Sequence, residues 1–578
     1  MNERFDHRKL HHLLGLFATT FIFLIIPLTV YSAISRTAVI TEVKASGATY
    51  YVDCGATNGD GSAGSPWSNL TSASGASLNS GDSLLLKRGC TWSGPLNLAT
   101  NKNGITVDAY GSGAMPTIQN TNPANVVVTG SNITIKNIYA FNNTYDSLDT
   151  ACRTLSDAAW SSGTNQRVGW RVGFDFKAGA TYNTLQDSKS EGMTAGVYLE
   201  DSSHHNKILN NQILDNTLQS VLTVGGNDDG GTFGILLHGD DNEIANNTIS
   251  GQDACSYDTG ASDGYHDGGG IEVFGGQRNN IHHNRADNNA AFTELGNSRS
   301  AANIFAYNLV TSSLKYTLFL NTRGSSDSFG PVSTTKAYNN TVYLTGAHSQ
   351  GAICYSVCNS SILSLKNNIL WVNWKTAYAD GPFDESNNIY WKTGGSPLIQ
   401  DTAKWTIAAT SGKVDPQFVG VGSDFLLKSS SPAVNSGVNL SYSSDFDGNP
   451  VPKGGVPDIG AFEYQTPSSS DSQLTIGSGS SGGNTSGGSS AGNKTSSGQN
   501  TTGQGSTVYQ QTGSVASNSA TRSASSSASK SAVKKPREAS SYQKAAIVFS
   551  LMLLLCAVGM LIFFYWGWRK KRKLTQEA

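Results

Sequence analysis

The chain has 578 residues, a net charge of −2 and only 14% charged residues. This length exceeds that of one compact globule and suits a repeat domain with appended segments. The near-neutral charge argues against a nucleic-acid-binding protein, which normally carries a basic domain. Glycine is frequent, at 63 residues, and helix formers are sparse between positions 50 and 465, a pattern typical of an all-β secreted protein.

Both ends of the chain contain an uncharged apolar run. Residues 13–35 follow a basic segment, 1–12, and are interpreted as either a secretory signal peptide or an uncleaved signal anchor. Residues 545–568 are long enough to cross a bilayer as a transmembrane helix, and the basic tail 569–578 places that end in the cytoplasm. The Ser/Gly-rich stretch 466–544 cannot bury a core and is predicted to be a disordered stalk. We therefore expect an extracellular head anchored to the cell membrane.

Six cysteines lie outside the C-terminal apolar run, and an even number in an exported domain favours disulfides. Six cysteines allow 15 pairings. Our expectation is Cys54–Cys90 and Cys354–Cys358, which leaves Cys152 with Cys255.

The folded part opens with a series of short motifs. These are YYVDC at 50–54, PW at 66–67, GDSLLLKRG at 81–89, ITV at 105–107 and AYGSG at 109–113. Over about residues 50–150 the sequence resembles secreted and cell-surface right-handed parallel β-helix proteins of the pectate-lyase-like superfamily. The resemblance implies a single-stranded right-handed parallel β-helix. Polysaccharide lyases and some glycosidases use this fold, and so do adhesins.

A repeat independent of that resemblance begins at Asn132. Units of the form Asn-Asn/Asn-x-Ile recur at about 22–24 residues, lengthened by inserts, and predict a parallel β-helix over residues 48–400. Stacked asparagines hydrogen-bond along such an axis and tolerate left-handed turns. We interpret six of them as structural: Asn132, Asn211, Asn247, Asn284, Asn340 and Asn368. Residues 401–465 resemble the terminal segment of such proteins and are predicted to cap the open strand edges.

Two glutamates occupy equivalent places in two short apolar runs, IEVF at 271–274 and TEL at 293–295. In a strand, side chains alternate between faces, so Glu272 and Glu294 are both predicted to point outwards. They are 22 residues apart, about one coil, which would place them on neighbouring parallel strands. Such a pair of like charges marks a candidate site.

The same register predicts which other side chains share this face. A constant offset of 24 residues aligns 293–299 with 317–323, stacking Asn297 on Asn321 and Arg299 on Arg323. Two outward columns follow from the register, Tyr198, Leu236, Glu272, Glu294, Leu318 and Glu200, His238, Phe274, Gly296, Leu320, with Arg278 at the end of a strand. Inserts beside the face, including one with Asp267 at 251–269, are expected to wall a groove.

These residues suit several chemistries. In a hydrolase, one glutamate would be the general acid and the other the nucleophile. In a lyase, Glu272, Glu294 and Asp267 would hold Ca²⁺, and an arginine or His238 would abstract the proton or bind carboxylates. Further residues assigned to substrate binding are Arg278, Arg299, Arg323, Tyr198 and Phe274.

The alternatives are structural. The glutamates would pair with Arg278 and Arg299 as a solvated ladder, His238 would be ordinary surface, and the aromatics would serve packing. The sequence therefore predicts a carbohydrate-active enzyme, lyase or glycosidase, with a non-catalytic carbohydrate-binding adhesin or structural surface protein as the competing hypothesis.

Overall fold

The structure, a computed structural model, describes residues 47–143, 169–220, 230–256, 265–400 and 404–465. Within these residues the chain winds through three parallel sheets in turn, one strand of each sheet per coil. The predicted β-helix is thereby confirmed. The predicted stalk, both apolar terminal runs and Cys152 lie outside the described residues. None of the helices in the described part is long and apolar enough to cross a membrane.

Sheet 1 has 12 described strands, and sheets 2 and 3 have 11 each. Sheet 1 contains β1 (Thr49–Val52), β2 (Ser83–Lys87), β5 (Thr106–Tyr110), β8 (Thr134–Lys136), β11 (Thr184–Gln186), β14 (Lys207–Leu209), β17 (Glu243–Ala245), β22 (Asn280–His282), β25 (Ile304–Ala306), β28 (Thr335–Tyr338), β31 (Leu363–Lys366) and β34 (Asp384–Ser386). Sheet 2 contains β3 (Thr91–Ser93), β6 (Thr117–Gln119), β9 (Tyr139–Phe141), β12 (Lys189–Glu191), β15 (Gln212–Leu214), β18 (Thr248–Ser250), β23 (Arg285–Asp287), β26 (Leu309–Ser312), β29 (Thr341–Leu344), β32 (Ile369–Val372) and β35 (Ile389–Trp391).

Sheet 3 carries the candidate site. It contains β4 (Leu96–Leu98), β7 (Ala124–Val128), β10 (Val172–Phe176), β13 (Ala195–Leu199), β16 (Phe233–Leu237), β21 (Gly269–Phe274), β24 (Ala291–Gly296), β27 (Tyr316–Arg323), β30 (His348–Tyr355), β33 (Lys375–Ala379) and β36 (Leu398–Gln400). Two antiparallel hairpins stand apart: β19 (Ala254–Ser256) with β20 (Tyr265–Asp267), and β37 (Phe418–Gly420) with β38 (Asp424–Leu427). The helices are α1 (Leu70–Gly75), capped by the Asn69 side chain, and a 3₁₀ turn, Thr100–Lys102.

The core runs along the inside of the coils. The middle residue of each three-residue strand is apolar and points inwards, and in sheet 1 Ile135, Leu185, Ile208, Ile244 and Ile281 are fully buried one above another. Burying such a side chain contributes roughly 1.5–3 kcal/mol. The neighbouring outward positions are half-buried or exposed, which leaves them free to carry a surface site.

Asparagine ladders line the turns between sheets. In one ladder each asparagine backbone N–H donates to the side-chain oxygen one coil further on, through Asn211, Asn247, Asn284, Asn308, Asn340, Asn368 and Asn388. This confirms five of the six residues interpreted as structural. The sixth, Asn132, is exposed and occupies a left-handed turn position with φ of 58°.

The two asparagines of each pair divide the work. In the Asn210–Asn211 and Asn246–Asn247 pairs, the first residue adopts positive φ (56° and 58°) and the second stacks in the ladder. Asparagine suits the first role because it tolerates the left-handed region better than most residues. Further ladders follow Asn183, Asn206, Asn242, Asn279 and Asn303 at a second turn, and Asn216, Gln252 and Asn289 at the third.

Residues 404–465 contact the side of the β-helix. Phe418, Phe425 and Phe462 lie in one buried cluster with outward residues of sheet 2 that include Leu309 and Trp371. The Gly460 N–H also donates to the Asn367 carbonyl, at 2.7 Å. The predicted cover over the open strand edges stays a prediction, because these contacts are lateral. The disulfides Cys54–Cys90 and Cys354–Cys358 are present as expected.

Candidate active site

The two glutamates lie side by side. Glu272 in β21 pairs in register with Glu294 in β24, so the predicted offset of 22 residues is confirmed. Each is half-buried between fully buried neighbours, as expected for an outward side chain on a strand whose other residues face the core. Neighbouring strands are about 4.8 Å apart, which sets the spacing of the two backbones.

The predicted alignment of the next strand is wrong. Glu294 pairs with Asn321, an offset of 27 residues, so Arg299 does not stack on Arg323. The asparagine ladder does step by 24 residues, from Asn284 to Asn308, but three additional residues separate Asn308 from β27. The corrected outward column reads Asp175, Tyr198, Leu236, Glu272, Glu294, Asn321, Ile353 and Tyr378.

A groove of about 710 Å³ lies over this face. It extends from β16 to β33, six neighbouring strands, or about 24 Å along the sheet. Six of the nine residues predicted for the site line it: His238, Asp267, Glu272, Phe274, Glu294 and Arg323. A groove of this volume with convergent acids and aromatic walls is typical of a ligand site.

Glu294 has two polar neighbours. The Asn321 side-chain amide donates to Glu294 Oε1 at 2.6 Å, and Arg323 Nη2 lies 3.8 Å from Oε2. These contacts fix the orientation of the carboxylate and place positive charge beside it. Sequence analysis missed Asn321 because its role depends on the three-residue shift in register.

Arg323 is held against the wall of the groove. Its side chain is only 13% exposed, it donates to the Leu295 carbonyl at 2.6 Å, and its guanidinium lies 5.9 Å from the centre of the Phe329 ring. Burial acts to lower the pKa of Arg323, but the negative charges of Glu294, Tyr355 and Glu272 outweigh it, so the pKa is raised. Arg323 is therefore a permanent cation next to the acid pair.

One end of the groove is formed by His238 and Phe274. The His238 Nδ1 lies 3.3 Å from the Tyr198 hydroxyl, and its ring is 5.9 Å from that of Phe274. Burial lowers the pKa of His238, and Arg299 acts in the same direction against the raising effect of Asp201. A histidine neutral at pH 7 is suited to accept a proton. Gly296 leaves room for the Phe274 ring, since a Cβ there would lie 3.0 Å from it.

Asp267 contributes from the hairpin beside the face. It ends β20, lines the groove and accepts a hydrogen bond from the Gly231 N–H at 2.6 Å. The insert predicted to wall the groove thus brings one carboxylate to it.

Three predicted residues lie beside the groove and are not among its lining residues. Arg278 forms a two-pronged ion pair with Asp241, with both contacts at 2.7 Å. Arg299 donates to the His238 and Gly275 carbonyls and to Asp240. These arginines are therefore engaged by other acids, and the alternative in which they pair with the two glutamates is wrong.

Tyr198 meets the site through His238. Burial, followed by the charges of Glu200 and Asp175, raises the pKa of Tyr198 to about 12, so its hydroxyl remains protonated at neutral pH. The Trp170 ring lies 5.8 Å from that of Tyr198 in an edge-to-face arrangement.

The predicted calcium ligands were tested by geometry. Among the described residues, the one group of three candidate metal ligands within 4.8 Å of one another is Asp53, Cys54 and Cys90, whose cysteines form a disulfide. Glu272, Glu294 and Asp267 do not form such a group, and side-chain movement would be needed for all three to bind one ion.

The strand pairing defines the class of protein: a parallel β-helix with a grooved face on one sheet. No model of a protein family matches the chain, and no curated protein matches it.

Solved structures similar to this chain include three carbohydrate-active enzymes. They are a pectate lyase Pel9A (15% identity, 72% of this chain and 96% of that one, TM-score 0.46), an alginate lyase from Paenibacillus sp. str. FPU-7 (14%, 57% and 96%, 0.36) and a GH136 lacto-N-biosidase from Eubacterium ramulus (13%, 62% and 67%, 0.33). At these identities and TM-scores, the fold assignment stands on the strand pairing itself.

Proposed function

We propose that this protein is a carbohydrate-active enzyme that hydrolyses a polysaccharide with Glu272 and Glu294 as its catalytic pair. The observation that carries the proposal is their alignment on neighbouring strands, facing one groove. Glycosidases use two carboxyl groups that flank the scissile bond, about 5–5.5 Å apart in retaining enzymes and about 6.5–9.5 Å apart in inverting ones. Two glutamates on strands about 4.8 Å apart suit the shorter separation.

The surroundings of the two acids suggest their roles. Glu294, oriented by Asn321 and beside the Arg323 cation, suits the nucleophile. Glu272 is then the general acid: it protonates the glycosidic oxygen while Glu294 bonds to the anomeric carbon and the leaving group departs. Glu272, now a carboxylate, takes a proton from water, and the hydroxyl oxygen displaces Glu294.

Two alternatives remain as outcomes of the test. A lyase would break the chain by elimination and leave an unsaturated sugar. An adhesin would bind the polymer and leave it whole. The hydrolase is preferred because the two glutamates are aligned, whereas no described group of three acids has the spacing of a calcium site.

The proposal extends to location. The apolar runs at both ends and the basic tail support a membrane-anchored protein whose folded domain is outside the cell. An extracellular position suits an enzyme acting on polymers that do not enter cells.

The full-length protein in detergent should be incubated with pectin, alginate, xylan, mixed-linkage glucan and chitin. Hydrolysis predicts new reducing ends without the absorbance of unsaturated products. Glu272→Gln and Glu294→Gln should each lower turnover about 100-fold or more, since a positioned acid or base contributes on that scale. Glu243→Gln is the control, because Glu243 is paired with Lys207 on sheet 1, away from the groove. Unsaturated products would overturn hydrolysis, and wild-type turnover in both groove variants would remove the pair from the mechanism.

A further inference from the structure

Three aromatic side chains lie together at the far end of the groove from His238. Tyr316, His348 and Trp374, here called the aromatic platform, all line it. The Tyr316 and His348 rings are stacked, with centres 4.9 Å apart and planes 23° apart. The Trp374 ring meets that of His348 edge-on at 5.5 Å. All three are half-buried, so each is supported by the protein and retains an open surface.

The local sequence builds this platform by lengthening two strands. β27 and β30 each have eight residues, whereas β21 and β24 have six. The added residues extend sheet 3 beyond Ala291, which pairs with Leu318, and create the Tyr316–His348 pair. A chain that needed these strands only for its core would gain little from exposing two rings there.

Trp374 is fixed by a cation. The Lys375 Nζ lies 4.8 Å from the centre of the Trp374 ring and 5.6 Å from that of Tyr378. Such contacts contribute about 0.5–1 kcal/mol at exposed sites, and they restrict the indole to one orientation. A ring held before the ligand arrives loses less freedom on binding.

The chemistry of the platform suits a sugar ring. One face of a pyranose presents C–H groups, which pack on an aromatic ring, while its hydroxyl groups need hydrogen-bond partners at the edge. The Gln350 side chain lines the groove on the same strand as His348 and offers an amide of that kind. An apolar surface with a few polar groups is the usual composition of small-molecule sites.

The platform lies at a defined distance from the acid pair. Trp374 directly precedes β33, three strands beyond Glu294 in β24, or about 14 Å along the sheet. The groove continues over that whole distance. A sugar stacked on the platform would therefore be several units from the reacting bond.

We propose that the aromatic platform is a remote sugar-binding subsite that makes this protein selective for long chains over short oligosaccharides. The position of the reacting bond rests on the proposed function, but binding to the platform does not. Ligands long enough to span the groove gain the platform contact, and shorter ones bind without it.

The test uses the full-length Glu272→Gln/Glu294→Gln protein, which leaves ligands whole. A bound polymer is found on an array of pectin, alginate, xylan, mixed-linkage glucan and chitin, and its oligosaccharides are then titrated by length. Trp374→Ala should weaken binding of the long oligosaccharides about three- to ten-fold, the scale of one aromatic contact, and leave the short ones unchanged. Trp374→Phe should restore most of the affinity, because stacking needs a ring.

Tyr182→Ala is the matched control, since Tyr182 is an aromatic residue 56% exposed on a turn, and it should have no effect. Tyr316→Leu supplies a second test if Trp374→Ala unfolds. Equal losses at all lengths, no loss at any length, or no binding to any polymer would overturn the proposal. The two proposals fail separately: if the glutamate variants cleave normally while Trp374→Ala still weakens long ligands, the acid pair is wrong and the platform stands.

Discussion

Asp175 is the most strongly perturbed acid of the grooved sheet. It belongs to the same outward column as Glu272 but is fully buried, with the Lys177 Nζ 2.6 Å from Oδ2. Burial raises the pKa of Asp175 from 3.8 to about 6, Lys177 acts to lower it, and Glu200 acts to raise it. A carboxyl group is thus kept partly protonated near neutral pH.

This pKa makes a prediction about stability. The folded protein retains the Asp175 proton up to about pH 6, whereas the unfolded chain loses it near pH 4, so Asp175 reduces the free energy of unfolding as pH rises between these values. The loss amounts to about 3 kcal/mol at most, since each pKa unit corresponds to about 1.4 kcal/mol.

Asp175→Asn removes this titration. Denaturant unfolding of wild type and variant should show the variant gaining stability relative to wild type from pH 4 to pH 6.5. Asp201→Asn is the control, because the Asp201 side chain is 72% exposed, and its curve should stay parallel to that of wild type. Parallel curves for Asp175→Asn would show that Asp175 ionises equally in both states.

At the scale of elements, the asparagine ladders set the coil. The Asn211 Oδ1 accepts the Ser188 N–H at 3.0 Å, and its amide donates to the Leu185 carbonyl and to Asn247 Oδ1, both at 3.0 Å. All these groups are buried, where water cannot replace a missing partner. The ladder therefore holds the turn backbone together from coil to coil.

Asn211→Ala should lower the free energy of unfolding by roughly 2–4 kcal/mol, because more than one buried polar group loses its partner. Gln212→Ala is the matched control: Gln212 is the next residue, begins β15 and is exposed, so its removal should cost under about 0.5 kcal/mol. Thermal or denaturant melts of both variants measure the difference. A similar small cost at both positions would mean that the ladder follows the fold without stabilising it.

The same element explains how far the sequence predicts the site. Alternation along two strands and a 22-residue spacing were sufficient to pair Glu272 with Glu294. They were insufficient for Asn321, because three extra residues in a turn shift β27 while leaving the asparagine spacing unchanged. A turn insertion changes the register of one sheet alone, and composition does not reveal in which turn it lies.

Side-chain partners were harder to predict than strand positions. Arg278 and Arg299 were placed near the face correctly, yet their guanidinium groups bind Asp241 and Asp240. Arginine is long and meets any acid within several ångströms, so its partner depends on turns whose geometry the sequence pattern does not specify. The aromatic platform was missed for a related reason, because His348 meets Tyr316 only through a 32-residue offset.

At the scale of the whole molecule, the apolar runs 13–35 and 545–568 predict that both chain ends are cytoplasmic and the head is outside. Protease added to intact cells should remove the head and leave a fragment containing residues 545–578. A cytoplasmic protein of the same cells is the control for lysis and should stay intact. A head that survives while an extracellular marker is digested would contradict this topology.

The central claim is that Glu272 and Glu294 act as one catalytic unit. Both are half-buried surface residues, so replacing either by glutamine should cost little stability, and relief of like-charge repulsion favours a small gain. Unchanged melting temperatures would separate an effect on chemistry from an effect on folding.

The most direct measurement is turnover of the polysaccharide by wild type, both single glutamine variants and the double variant. Each single variant should lose about 100-fold or more, and the double variant should be little worse than the poorer single one, because residues that act as a unit are not additive. Losses that multiply in the double variant would show two independent contributions. Wild-type turnover in either single variant would contradict the claim outright.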